Sequence, residues 1–268
     1  MKGPVEQVKR NYHTHTFRCG HASGTEREYI EKAIAEGLEV LGFSDHVPMV
    51  LPDGRESGFR CPTRLLPDYI KTLSELREEY KGRIQILIGF EAEYYPECFE
   101  RMLKMLSEYD YDYLIMGQHF VNNEVGEVYN SHPFTDEAKL KRYVDQVLEG
   151  ARTGKFSYVA HPDVIGYFGE PEIYDLYMRR LCTELKALGI PVEFNLLGFE
   201  EKRIYPSERF FKIVAEVGNE VIVGCDAHGV AKVADKDILR AAYAELAGYG
   251  ITPITELKLR SPYPDKGE

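Results

Sequence analysis

Seven of the eight histidines stand at or just behind the end of a short apolar run: His13 and His15 in NYHTHT, His21 in CGHA, His46 in FSDH, His119 in GQH, His161 in VAH and His228 in DAH. Two carboxylates occupy the same kind of place, Glu91 in IGFE and Asp226 in VGCD. Histidines with no common task would be scattered over helices and both ends of strands; only His132, in NSHPF, lies apart. Neutral imidazole and carboxylate together suit zinc, manganese or iron. A structural zinc site uses about four ligands. Nine groups converging on one place would hold several ions, and a carboxylate such as Glu91 can bridge two of them at roughly 3.5–4 Å. A hydroxide between such ions is a nucleophile, so the expected chemistry is hydrolysis.

These residues meet only if the runs that carry them are parallel strands ending on one face. Seven β-rich runs can be read, at 8–13, 40–45, 85–91, 113–118, 158–161, 191–195 and 221–226, with helical or loop segments between them. That alternation is the signature of repeated βα units and a parallel sheet. In a barrel of such units all strand C-termini open at one mouth, where side chains two apart point the same way. Six of the seven ends then carry a candidate ligand, and only the sixth, PVEFN, carries none. The helices read as ordinary packing elements: TEREYIEKAIAEG begins at a Thr cap and stops at Gly37, and PEIYDLYMRRLCTELKALG stops at Gly189. The Pro- and Gly-rich stretch 47–67 is either a substrate loop or a surface excursion.

At 268 residues, with 44% hydrophobic and 29% charged residues, the chain is expected to form one α/β domain over 1–268. A net charge of −11 disfavours nucleic acid as a partner, because nonspecific affinity there comes from Lys and Arg neutralising phosphates. Five scattered cysteines without a CxxC pair suggest neither a disulfide framework nor a thiolate zinc site. The N-terminal MKGPVEQVKRNYHTH has no signal-peptide core, and no apolar run approaches the ~18 residues of a membrane span. The expected location is the cytoplasm.

The set HTH (13–15), H (21), SDH (44–46), E (91), H (119), H (161) and DAH (226–228) resembles the polymerase and histidinol phosphatase (PHP) superfamily, and within it the histidinol-phosphate phosphatases. The segment HTHTFRCGHASG is the most telling, and the pattern spans nearly the whole chain in the family's order. The resemblance implies a distorted (β/α)7 barrel with its metal site at the C-terminal ends of the strands. It implies three divalent transition metals (Zn, Mn or Fe): one on His13, His15, Glu91 and Asp226, one on Glu91, His119 and His161, and one on His21, His46 and His228. Glu91, Asp226 and His228 are then the residues expected to carry catalysis. The implied reaction is hydrolysis of L-histidinol phosphate, a step of histidine biosynthesis, by attack of a metal-bridging hydroxide without a phosphoenzyme. Alternatives are a general phosphatase or phosphodiesterase of the same superfamily, acting on nucleotides, sugar phosphates or phosphotyrosine, and a non-catalytic metal-binding barrel. The complete ligand set counts against the last.

A phosphate monoester dianion also calls for a guanidinium, whose fork holds two oxygens at once. Arg203, the first arginine after the sixth strand and just before a YP turn, is the leading candidate, and Arg18, in the loop after the first strand, competes with it. Around the ligands, Asp45 should point away from the mouth and is either an acceptor behind a ligand or a helix cap. Glu93 shares a face with Glu91 and either meets a cationic part of the substrate or is an exposed or salt-bridged carboxylate. His132 either contacts substrate from its loop or, as the commoner case, is a surface histidine, and Cys225 reads as a small buried hydrophobe.

Overall fold

All seven runs form strands in the computed structural model, which describes residues 8–261. They are β1 (Arg10–Asn11), β2 (Val40–His46), β3 (Gln85–Ala92), β4 (Tyr113–Met116), β5 (Phe156–Val159), β6 (Val192–Asn195) and β7 (Val221–Gly224). Residues 1–7, where the segment read for a signal sequence begins, and 262–268 lie outside the described residues. The strands pair in chain order and every pair is parallel. Eight helices fill the connections: α1 (Glu26–Glu36), α2 (Leu66–Glu79), α3 (Phe99–Leu106), α4 (Glu137–Arg152), α5 (Pro171–Ala187), α6 (Leu196–Glu201), α7 (Glu208–Val217) and α8 (Lys236–Gly248). In α1 the Thr25 hydroxyl and Glu28 form a reciprocal capping box, and Gly37 ends the helix at φ 84°.

The seam between β1 and β7 distorts the barrel. His15 N donates to Ala227 O at 3.0 Å and Ala227 N to His13 O at 3.3 Å, while the Asn11 side chain accepts from Cys225 N at 3.0 Å. A side chain thus substitutes for ladder bonds, which is why β1 is two residues long where 8–13 was expected. The expected ends of β5 and β7 also retreat, because His161 (φ 30°) and Asp226 (φ 48°) take left-handed backbone that no ladder tolerates. For residues with a Cβ that conformation costs ~1–2 kcal/mol each. Both are candidate ligands, held in an unfavourable conformation at the site's edge.

Alternation along each strand sorts the side chains. Leu41, Phe43, Ile86, Ile88, Phe90, Leu114 and Met116 face outward into the main core beneath the helices. Val40, Leu87, Tyr113, Ile115, Tyr158 and Ile222 face inward and, with Tyr12 and Leu257, plug the N-terminal end of the barrel. Tyr113 crosses the interior to donate to Tyr12 O at 2.7 Å. Above this apolar plug, the same inward positions turn polar: Ser44 and His46 on β2, Glu91 on β3, Glu193 and Asn195 on β6, all buried. The barrel has a dry floor and an ionisable mouth.

Candidate metal centre

The nine residues singled out as ligands meet in that mouth. Glu91 is the hub, and its two oxygens face different histidines. Oε1 lies 2.9 Å from His161 Nε2 and 3.4 Å from His119 Nε2. Oε2 lies 3.1 Å from His46 Nδ1 and 3.5 Å from Nε2 of both His13 and His15. Asp226 Oδ1 lies 3.0 Å from His15 Nε2 and 3.4 Å from His13 Nε2 and His228 Nδ1. His21 joins through its Nε2, 3.0 Å from His228 Nε2. Glycine makes this convergence possible at the next strand, where a Cβ on Gly117 would fall 2.6 Å from the Glu91 carboxyl carbon.

Partners behind the rings fix which nitrogen faces inward. His13 Nδ1 lies 2.7 Å from Glu193 Oε1 and His119 Nδ1 lies 2.6 Å from Glu93 Oε1, so each ring presents Nε2 to Glu91. His21 Nδ1 rests on Cys19 O and His228 Nδ1 on Asp226 O, each at 3.0 Å. With both Nδ1–H groups donated, two Nε2 lone pairs point at each other across 3.0 Å, which is repulsive unless a cation lies between them. Buried nitrogens His13 Nε2, both of His15, His46 Nδ1 and His161 Nδ1 have no hydrogen-bond partner of good geometry among the described residues. Buried polar atoms are ordinarily satisfied. Unsatisfied imidazoles around two carboxylates form a donor set that fits divalent transition metals.

Charge makes the same demand. Burial opposes ionisation of Glu91, yet His46, His119 and His13 outweigh it and hold the carboxyl well below the usual range. Asp226 is held low in the same way, by His13, His15 and His228. Burial would lower His13, but Glu193, Asp226 and Glu91 hold its imidazole well above the ordinary value. His15 likewise rises, against burial, to about 9 beside Asp226 and Asp45. Burial prevails at His46, which is pushed well down, and at His228, which falls to about 3. Divalent ions held by these imidazoles would supply the positive charge that the two buried carboxylates require.

The cluster forms the floor of a cavity of about 500 Å³. Its walls are Phe59, Tyr129, Leu197 and Tyr205, and Glu201 and Arg203 stand at its edge. Phe59 comes from the 47–67 loop, which therefore contributes to the site. Arg203 donates to Tyr205 Oη at 2.9 Å and to Glu201. Arg18 is elsewhere: it is buried, ion-paired with Glu26 and, at 2.6 Å, with Asp68, and is absent from the cavity lining. Its guanidinium is spent on helix carboxylates, so the expectation of substrate contact does not carry over to it.

The PHP domain family matches residues 11–196. The chain belongs to that family. A probable histidinol-phosphatase of Deinococcus radiodurans is 31% identical over 227 residues, 82% of this chain and 86% of the relative. The histidinol-phosphatase of Bacillus subtilis (strain 168) is 31% identical over 261 residues, 84% of this chain and 95% of the relative. In fold, the crystal structure of histidinol phosphate phosphatase from Lactococcus lactis, complexed with zinc, L-histidinol and phosphate, aligns with a TM-score of 0.71 at 18% identity, covering 94% of this chain and 99% of that one.

In this PHP barrel several supporting residues escaped the sequence reading. Glu193 on β6, the strand without a ligand, orients His13, and Asn195 donates to Asp226 Oδ2 at 3.0 Å. The signal was present: the two stand two apart on one strand, on the face that points inward. Arg60 is buried against Glu93 (2.6 Å) and Glu124, which fixes Glu93 for His119. Glu93 is therefore salt-bridged rather than exposed, and it also orients His119, a candidate ligand. Asp45 accepts from Thr16 Oγ1 and from His46 N and stands behind His15, 3.6 Å from its Nδ1, beyond hydrogen-bond reach. His132 is exposed, and Cys225 is buried.

Proposed function

We propose that this PHP-family chain hydrolyses L-histidinol phosphate to L-histidinol and phosphate. The observation that carries the reading is the ligand cluster at the base of a cavity with an arginine at its edge, in a chain 31% identical to proteins named for that activity. Three ions would be held: by His13, His15, Glu91 and Asp226; by Glu91, His119 and His161; and by His21, His46 and His228. The split of Glu91 between two groups of histidines supports its sharing between ions. When bound, such ions supply Lewis-acid polarisation of phosphoryl oxygen and of water.

The chain's own part is orientation and exclusion. Glu193 and Glu93 hydrogen-bond to His13 and His119 from behind and hold those rings in orientation, and Asp45 places a carboxylate behind His15. Phe59, Tyr129, Leu197 and Tyr205 give the alcohol portion an apolar enclosure. Arg203 places its guanidinium where it can take two oxygens of the phosphate. We read residues 1–268 as one such barrel domain working in the cytoplasm, where its five buried, unpaired cysteines would stay reduced.

Steady-state kinetics on the metal-loaded protein test the reading: kcat/KM for L-histidinol phosphate should far exceed that for p-nitrophenyl phosphate, and equal values would contradict it. In the same assay Arg203→Ala should raise KM for histidinol phosphate roughly tenfold, the worth of a charged hydrogen bond, with ion content unchanged. Arg203→Lys should recover only part of the loss. Wild-type kinetics in Arg203→Ala would return this arginine to the role of a surface ion pair.

A further inference from the structure

Three carboxylates line the cavity, and two of them, Glu91 and Asp226, belong to the histidine cluster. The third, Glu201, does not. It ends α6 and faces Arg203, whose Nε donates to Glu201 Oε2 at 2.8 Å and whose Nη2 lies 2.7 Å from the same oxygen. Oε1 takes no hydrogen bond among the described residues. The pair is half-exposed, with side chains 40% and 47% accessible, so it is not a structural ion pair of the interior. The backbone that carries it is well fixed: Arg203 N donates to Gly198 O at 2.9 Å, and any side chain on Gly198 would collide with Tyr205.

In this resting arrangement the guanidinium donates through Nε to Glu201 and through Nη1 to Tyr205, and Glu201 also covers Nη2 at 2.7 Å. A phosphate that takes the Nε–Nη2 edge of the fork displaces Glu201 and then sits beside its negative charge. A simple aryl phosphate offers nothing in return. An ester that carries an ammonium group near its phosphate offers a new partner to the displaced carboxylate, so that one ion pair is exchanged for two. We infer that Glu201 is a specificity residue that binds the substrate's ammonium group, and that the Glu201–Arg203 pair selects phosphate esters of amino alcohols by exchanging partners. The inference rests on the histidinol-phosphatase reading and names the part of the substrate that this site recognises.

The decisive experiment compares L-histidinol phosphate, its analogue lacking the amine, and p-nitrophenyl phosphate on wild type and Glu201→Gln, both metal-loaded and checked for equal ion content. Wild type should prefer histidinol phosphate to the deamino analogue by about tenfold or more, the range of a charged hydrogen bond. Glu201→Gln should abolish that preference. For p-nitrophenyl phosphate, kcat/KM should rise in the variant, because Arg203 is released from its competitor. Opposite signs for the two substrates are not expected of a residue that merely supports the loop. If wild type favours histidinol phosphate over p-nitrophenyl phosphate but ignores the amine, or if Glu201→Gln changes all three esters by one factor, the inference is overturned and the proposed activity stands. If wild type does not favour histidinol phosphate at all, the proposed activity itself fails.

Discussion

Glu91→Gln is expected to lower kcat on L-histidinol phosphate by roughly a hundred- to a thousandfold, the usual cost of deleting a key electrostatic group from an active site. Glutamine keeps the shape and removes the charge. Five histidine nitrogens lie within 3.5 Å of the two Glu91 oxygens, and an amide would present to one group of them an N–H that cannot hold a cation. Asp226→Asn should behave similarly, since its Oδ1 serves His13, His15 and His228. Turnover measured beside elemental analysis and circular dichroism separates chemistry from folding. Near-normal kcat at full ion content in either variant would remove that residue from the catalytic cluster.

A second large effect should come from a residue with no functional group. In Gly117→Ala the new Cβ would stand 2.6 Å from the Glu91 carboxyl carbon and 2.8 Å from its Cγ. Gly117 does not occupy left-handed backbone, so alanine brings no conformational strain and the contact alone decides the outcome. Glu91 cannot step aside freely because histidines flank both oxygens. A displacement of about 1 Å at a reacting centre can cost ~10²-fold in rate, whereas overpacking costs ~1–3 kcal/mol in stability. The variant should therefore remain folded while losing at least about a hundredfold in kcat and part of its metal. Full ion content with wild-type kcat would show that the mouth is looser than the geometry requires.

The ligands were legible because strand alternation and parallel topology convert one-dimensional spacing into convergence: an HxH at 13–15 and a DAH at 226–228 can only share a face if their strands adjoin, and the Thr14–Ala227 bridge joins them. The seven strands were legible for the same reason, as β-branched runs between helices. What stayed hidden was the charge placed inside the barrel. Glu93, Glu193 and Arg60 are residue types normally exposed, and strand alternation gives a face for the two glutamates but no partner; each is buried because it meets a histidine or a carboxylate brought from more than twenty-five positions away. The short β1 was equally hidden, since its closure depends on the Asn11 side chain reaching β7. Of the two arginines, only the fold separates Arg203, at the cavity, from Arg18, buried on Glu26 and Asp68.

Phosphate-ester hydrolysis here should depend on several divalent ions held together by one cluster. The most direct test is phosphate release from L-histidinol phosphate by chelator-stripped protein, measured against the number of zinc or manganese ions restored per chain. The stripped protein should be inactive, and activity should climb to its plateau only beyond one ion per chain, near three. Undiminished activity without metal, or a plateau reached at a single ion, would contradict the account.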